Sequence, residues 1–395
     1  MPMRPCRVEI RTQAFEENYR FLRSLVAPPT ELLAIVKADA YGHSLALCAP
    51  AAVRAGAQWL GVTSVEEGIA TRALCPEAHV LVIGGVFPGQ GAAVIEHGLT
   101  VVAWELWQLN ELECAARAAG ALPASLPVHL EIDTGMSRQG ASPHGLEPVL
   151  ARFAPGSRLR LEGVMTHLFA ADEAGGMVTA SQLAQLNEAV ERIEAAGLYA
   201  DWLSVGNSAA LLAGQEREIT ALAARHGMKP MLRPGLALYG LVPRFDPTFE
   251  ENIPPSIAAA RQRLRPVLSW KAEVVGVRSV PAGSVVGYNG TFVATEPMRL
   301  ALVAAGYADG LDRQLGNRFS LLVRGEQAPL VGRISMDQSV LDVTGIPRVE
   351  AGDEVVILGT QGTETITAFD YADATGTIPW EVFTRIGPRV RRIAV

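Results

Sequence analysis

Over roughly the first two-thirds of the chain, short apolar runs alternate with longer stretches in which apolar residues recur at helical spacing. An uninterrupted apolar run of a few residues marks a buried strand, and the 3.6-residue recurrence marks a helix with one covered face. On this reading strands lie at 32–38, 59–63, 80–83, 100–103, 128–133, 162–167, 202–205 and 231–233. Between them fall amphipathic stretches such as "SVEEGIATRAL", "ELWQLNELECAARAAG" and "ASQLAQLNEAVERIEAAG". The last places Leu183, Leu186, Ala189, Val190 and Ile193 on one face and stops at Gly197. Eight strands, each followed by a helix or a long connection, predict an α/β fold with a TIM-type (β/α)8 barrel; strand counting leaves a doubly wound open sheet as the alternative. The pattern then changes. "RFDPTFEENIPPSIAAARQRLRP" is a polar, proline-bearing connector, and from Val267 onward short β-rich segments are separated by Gly and Pro. A mostly β C-terminal domain is expected, with the barrel over 1–250 and the β domain over 251–395.

Polar residues interrupt this pattern where strands end, which is where barrel enzymes place their chemistry. Lys37 shares a face with Leu33 and Ile35 at the end of the first barrel strand. An amine there is costly unless it is paired or loses its charge, though a lysine just past the strand could also reach to solvent. In "VHLEIDTGMSRQG", alternation puts His129, Glu131 and Asp133 on one face and apolar residues on the other. Interior carboxylates need cationic or hydrogen-bonding partners, and Arg138 on the following loop is a candidate. His167 ends the sixth strand, Asn207 and Ser208 open a helix after the seventh, and Arg233 precedes a Pro-Gly turn after the eighth. Ser208 and the backbone of Gly235 and Leu236 would suit a phosphate held between the last two loops. The glycine-rich "GGVFPGQG" lacks the Gly-Lys-Ser/Thr ending of a P-loop. A lysine together with a phosphate cradle suggests a Schiff base with pyridoxal phosphate.

Composition narrows the picture. The chain has 395 residues, 49% hydrophobic and 19% charged, with a net charge of −7, which disfavours nucleic acid and anionic membranes as partners. The four cysteines form no CxxC pair and fit reduced thiols in a cytoplasm; the seven histidines show no metal-binding spacing. No metal is expected. No apolar run approaches a membrane span, and the first residues do not read as a signal peptide.

Taken together, "AIVKADAYGHS", "IDTGMSRQG", "GVMTHLFAADE", "GNSAA", "LRPGLALYG", "AAGYADG" and "VGRISMDQ" resemble the alanine racemase family, in family order across nearly the whole chain. The resemblance implies an isomerase that interconverts L- and D-alanine, the latter a peptidoglycan precursor, on pyridoxal 5'-phosphate by two proton-transfer groups. It implies that Lys37 binds the cofactor as an aldimine and serves the D-alanine side, and that Tyr307 of "GYADG" serves the L-alanine side. It also implies that Tyr41, Asn207, Ser208, Gly235 and Leu236 lie at the phosphate. Arg138 would bind the cofactor's phenolic oxygen and the substrate carboxylate, Arg233 would face the pyridine nitrogen, and His167 would link Arg233 to Tyr307. Met336 would contact substrate through its backbone, with Asp337 in support. In the family Tyr307 and Met336 come from the other subunit, so a homodimer is implied. Many members carry a carboxylated lysine where this chain has Glu131. Glu131 is therefore expected to take over the orienting of Arg138. Alternatives are a broad-specificity amino-acid racemase, a pyridoxal-phosphate carrier and a barrel decarboxylase. "GYADG" and "SMDQ" speak against the carrier, and Arg233 speaks against the decarboxylase.

Overall fold

The computed structural model describes residues 4–173, 176–248 and 253–395. The chain forms two compact units. One comprises Gln13–Ala40 and Cys48–Arg265; the other comprises the N-terminal residues through Thr12, Tyr41–Leu47 and Pro266–Val395.

In the second unit, β1 (Cys6–Ile10) pairs antiparallel with a later strand at Leu268–Val280 and parallel with the strand Arg391–Ala394. These strands belong to a nine-stranded, mostly antiparallel sheet. Trp270 is fully buried there, and its indole N–H donates to Cys6 Sγ at 3.3 Å. This corrects the expected domain limits at the N-terminal end: the first strand completes the β unit because its ladder partners lie there. At the other end, the expected boundary between 250 and 251 lies outside the described residues, and the units divide between Arg265 and Pro266.

In the first unit eight parallel strands close into a barrel, as the alternating pattern predicts: β2 (Glu31–Ile35), β3 (Trp59–Val62), β4 (His79–Val82), β5 (Thr100–Ala103), β6 (Leu126–Glu131), β7 (Leu159–Met165), β8 (Trp202–Ser204) and β9 (Lys229–Leu232). Closure is made by β9 on β2, with Glu31 opposite Met231 and Leu32 opposite Leu232. The strands are apolar almost throughout because one face fills the barrel and the other packs under helices; β3 and β5 are buried along their whole length.

Two local differences from the periodicity matter for the site. The run expected as strand to residue 38 ends at Ile35, because Ala38, Asp39, Ala40 and Tyr41 all take positive φ, between 51° and 55°. The helix Met177–Ala195 forms as expected, but its buried face includes Gln182, while Leu183 is only half-buried. The amide of Gln182 is drawn inward by buried polar groups around it. It donates to Thr134 Oγ1 and to the His167 carbonyl, both at 2.9 Å, and accepts from the Phe169 N–H at 3.2 Å. Among the described residues no helix is long and apolar enough to cross a membrane, and no cluster of His, Cys, Asp and Glu could hold a metal ion.

Candidate active site

Of the polar residues singled out in the barrel, Lys37, Glu131, His167 and Arg233 lie where the strands end, whereas His129 packs lower, against Glu162 and Trp59. Lys37 opens a left-handed turn directly after β2. Each non-glycine residue in that conformation costs roughly 1–2 kcal/mol, so the turn persists only because its surroundings impose it. The restraints are visible. Tyr239 donates its hydroxyl to the Ile35 carbonyl at 2.8 Å, the Val36 N–H donates to Gly61 at 2.9 Å, and the Ala40 N–H donates back to Val36 at 2.9 Å. The carboxylate of Glu67 accepts from the N–H groups of Asp39 at 3.3 Å and Thr63 at 2.9 Å, which ties the turn to the segment after β3. Burial and then Arg138 hold the Lys37 amine below the usual ammonium range, with Glu67 acting against that shift.

Arg233 is buried just past β9. Its guanidinium donates to the Thr166 carbonyl at 2.7 Å, to Ser204 Oγ at 3.1 Å and to His167 Nδ1 at 3.3 Å. Burial pulls its pKa down to about 10, against the influence of Glu131, so it stays charged at neutral pH. His167 lies two residues beyond the end of β7. Burial, then Arg233, Arg138 and Lys37, push its imidazole down to about 3, so the ring is neutral. A guanidinium can only donate, so Nδ1 accepts and the ring proton sits on Nε2.

The loop after β6 differs from the expectation in one respect. Glu131 is 2% exposed, but the group on its carboxylate is the Gln139 amide, which donates to Oε2 at 2.5 Å, rather than Arg138. Burial raises the Glu131 pKa, and the Gln139 bond and the two arginines oppose the rise. Asp133 accepts from the N–H groups of Gly135 at 2.9 Å and Ser137 at 3.1 Å, which shapes the turn that carries Arg138. The Arg138 side chain itself is exposed. A bulge in the β6–β7 pairing lies between Val128 and His129, so strict alternation does not run the length of β6.

After β8, Asn207 caps a short helix by accepting from the Ala210 N–H at 3.1 Å and donates to the Leu168 carbonyl at 3.1 Å. Ser208 Oγ accepts the N–H groups of Gly235 at 2.9 Å and Ala237 at 3.3 Å; Leu236 lies between them and is buried. Two backbone donors thus converge on the Ser208 hydroxyl oxygen and fix the turn after β9 against the start of this short helix, leaving the hydroxyl hydrogen of Ser208 to donate. With an amine whose pKa is lowered by burial, a fixed guanidinium and this donor pair, the chemistry of the residues fits pyridoxal phosphate. Gln182, Tyr239 and Glu67 support the site, yet in the sequence they read as ordinary positions on helices or in a turn, because what distinguishes them is a long-range partner.

The remaining predicted residues lie in the β-rich unit. Tyr41 is half-buried, and burial pushes its phenol up to about 12, so it keeps its proton as a donor. Tyr307 and Met336 are 43% and 53% exposed on neighbouring loops. Asp337 accepts from Arg389 at 2.7 Å.

Residues 10–243 match the family model for the alanine racemase N-terminal domain, and residues 267–394 match that for its C-terminal domain. An alanine racemase of Syntrophobacter fumaroxidans is 36% identical over 381 residues, covering 96% of this chain and 95% of its own. The alanine racemase of the D-cycloserine producer Streptomyces lavendulae superimposes with a TM-score of 0.85 at 36% identity, over 100% of this chain and 98% of its own. That of Bartonella henselae, solved with covalently bound pyridoxal phosphate, gives 0.82 at 27% identity over 99% of each chain. With both domain models matched in order and relatives aligned nearly end to end, the chain belongs to the alanine racemase family.

Proposed function

We propose that this chain is a pyridoxal-phosphate-dependent alanine racemase that works as a homodimer. The observation that carries the reading is the meeting, at one barrel mouth, of a lysine amine held below its usual pKa with the Gly235 and Ala237 N–H pair aimed at Ser208. The relative from Bartonella henselae, with its covalently bound cofactor, supports the same assignment. When bound, pyridoxal phosphate would acidify the α-hydrogen of an amino acid.

The protein's own residues do the rest. Lys37 holds or moves a proton at Nζ on one face of the substrate, and Tyr307 of a second copy does so at Oη on the other, since racemisation needs one proton-transfer group per face. His167 is neutral with its proton on Nε2, so it donates toward Tyr307 while Arg233 fixes its tautomer. Arg233 stays charged and offers the pyridine nitrogen a donor but no proton to release. Arg138 and the backbone of Met336 bind the substrate carboxylate. Tyr41, Asn207, Ser208, Gly235 and Leu236 hold the phosphate.

The test is to load purified protein with pyridoxal phosphate and follow D-alanine formation from L-alanine. Borohydride reduction should fix the label on Lys37, and Lys37→Ala should lower turnover by about 10²–10⁴-fold or more. A label found on another lysine would sink the assignment of the site. Faster turnover of serine, lysine or arginine than of alanine would replace alanine as the substrate.

A further inference from the structure

Tyr307 and Met336 are exposed, so packing around their side chains cannot set where they stand. Their backbones must do so, and the base of their two loops is built around one buried carboxylate. Asp309 has no exposed surface, and it closes the single turn Tyr307–Asp309. Its Oδ2 accepts from the Gly306 N–H and from Arg4, both at 2.9 Å, and its Oδ1 accepts Arg389 Nε at 2.7 Å. The same two arginines reach the other loop. Arg389 donates to the Asp337 carboxylate at 2.7 Å and to the Met336 carbonyl at 3.4 Å, and Arg4 donates to the Asp337 carbonyl.

The loops are also joined directly. The Tyr307 N–H donates to Ser335 at 3.0 Å and the Ala308 N–H to Met336 at 2.9 Å. A Cβ on Gly306 would lie 2.4 Å from both the Ser335 and Met336 carbonyl oxygens, so only glycine permits this approach. The arginines come from opposite ends of the chain, 385 positions apart, and this carboxylate is where they meet. A buried carboxylate is tolerated only with strong, well-directed donors, and here each donor also touches the neighbouring loop.

We propose that Asp309, Arg389 and Arg4 form a positioning clamp that holds the Tyr307 and Met336 loops as one rigid element. The clamp sets the Tyr307 hydroxyl against the substrate's α-hydrogen; this part rests on the proposed role of Tyr307 on the L-alanine side. None of the three acts on substrate. They work through the backbone of the two loops.

Arg389→Gln is the variant to measure, because Arg389 is partly exposed and the fold tolerates its loss better than that of Asp309. Amide hydrogen exchange of Tyr307 and Ala308 should speed up by about tenfold or more, while the barrel amides keep their protection. In holoenzyme, the α-deuterium isotope effect should rise for L-alanine, whose hydrogen Tyr307 removes, and fall for D-alanine, whose hydrogen Lys37 removes. Arg389→Lys should restore part of both signals. Unchanged exchange at Tyr307 and Ala308 would overturn the clamp. A fall in turnover with equal isotope-effect changes in both directions would reduce it to a fold-stabilising contact. Exchange that responds in a protein with no racemase activity would keep the clamp and reject the functional reading instead.

Discussion

The two ends of the barrel are built from the same residue types and behave in opposite ways. Where the strands begin, fully buried His129 lies with Nε2 3.4 Å from Glu162 Oε2, and the other oxygen of Glu162 takes Arg160 at 2.6 Å. Arg160 also reaches Asp201 at 2.6 Å. Around this pair runs a layer of rings: Trp59 stacks on His79 at 4.5 Å and meets Trp202 edge-on at 5.6 Å. Arg160 thus faces two carboxylates, those of Glu162 and Asp201. Glu162 ends with its carboxyl below the usual range, the His129 and Arg160 interactions outweighing its burial.

Where the strands end, Lys37, Arg138 and Arg233 gather around one buried carboxylate, and that carboxylate is hydrogen-bonded to a neutral amide. The amine and the imidazole are pushed down and the carboxyl is pushed up, each away from its charged form. A matched set of charges holds a fold together, whereas an unmatched set waits for a ligand that completes it.

The contrast can be broken most sharply at Arg233. On the role proposed for Arg233, Arg233→Met should cut turnover by about 10²–10³-fold, the usual consequence of losing a fixed charged donor at a reacting group. In the same variant the His167 pKa should climb from about 3 toward the ordinary histidine value, read by imidazole NMR against pH. A His167 pKa that stays put would show that burial alone sets it.

At the other end, Gly163→Ala should leave turnover intact and lower stability by about 1–3 kcal/mol, measured by denaturant unfolding. Its new Cβ would lie 2.5 Å from the His129 ring. A fall in turnover at full stability would mean that the base of the barrel is coupled to the chemistry.

The smallest effects are the most diagnostic of sign. Glu131 has a folded-state pKa above the ordinary carboxylate value, so its favourable contribution is full at low pH and is lost as pH rises through the folded value. Glu131→Gln should therefore raise the melting temperature at neutral pH, and the gain should vanish in acid. Glu162 is the reverse. Its folded-state pKa lies below the ordinary carboxylate value, so its contribution is present above that value and is lost as pH falls through the folded one. Glu162→Gln should lower the melting temperature at neutral pH, with the difference closing in acid. Two melting curves of the same sign would remove the contrast.

The eight apolar runs announce the barrel because strands buried on both faces leave little room for polar residues. Lys37, Arg233 and Ser208 are legible for the same reason: each is polar where the pattern calls for apolar or for loop. The partner of Glu131 is not legible that way. Arg138 and Gln139 are adjacent in the chain, and only the folded loop decides that the amide turns in while the guanidinium stays exposed. Periodicity also gives no warning that Gln182 faces inward, since the groups that draw it there lie 15 and 48 residues away.

By itself, then, the sequence determined the barrel, the β-rich unit and the family, and it marked the polar residues at the strand ends, because these rest on local pattern and on residue types that are costly to bury. The tertiary structure alone decided the left-handed turn that begins at Lys37, the assignment of β1 to the β-rich unit and the meeting of Arg4 with Arg389 on Asp309. Each depends on partners far away in the chain. Their geometry is imposed by hydrogen-bond and charge satisfaction in the fold, which no local periodicity records.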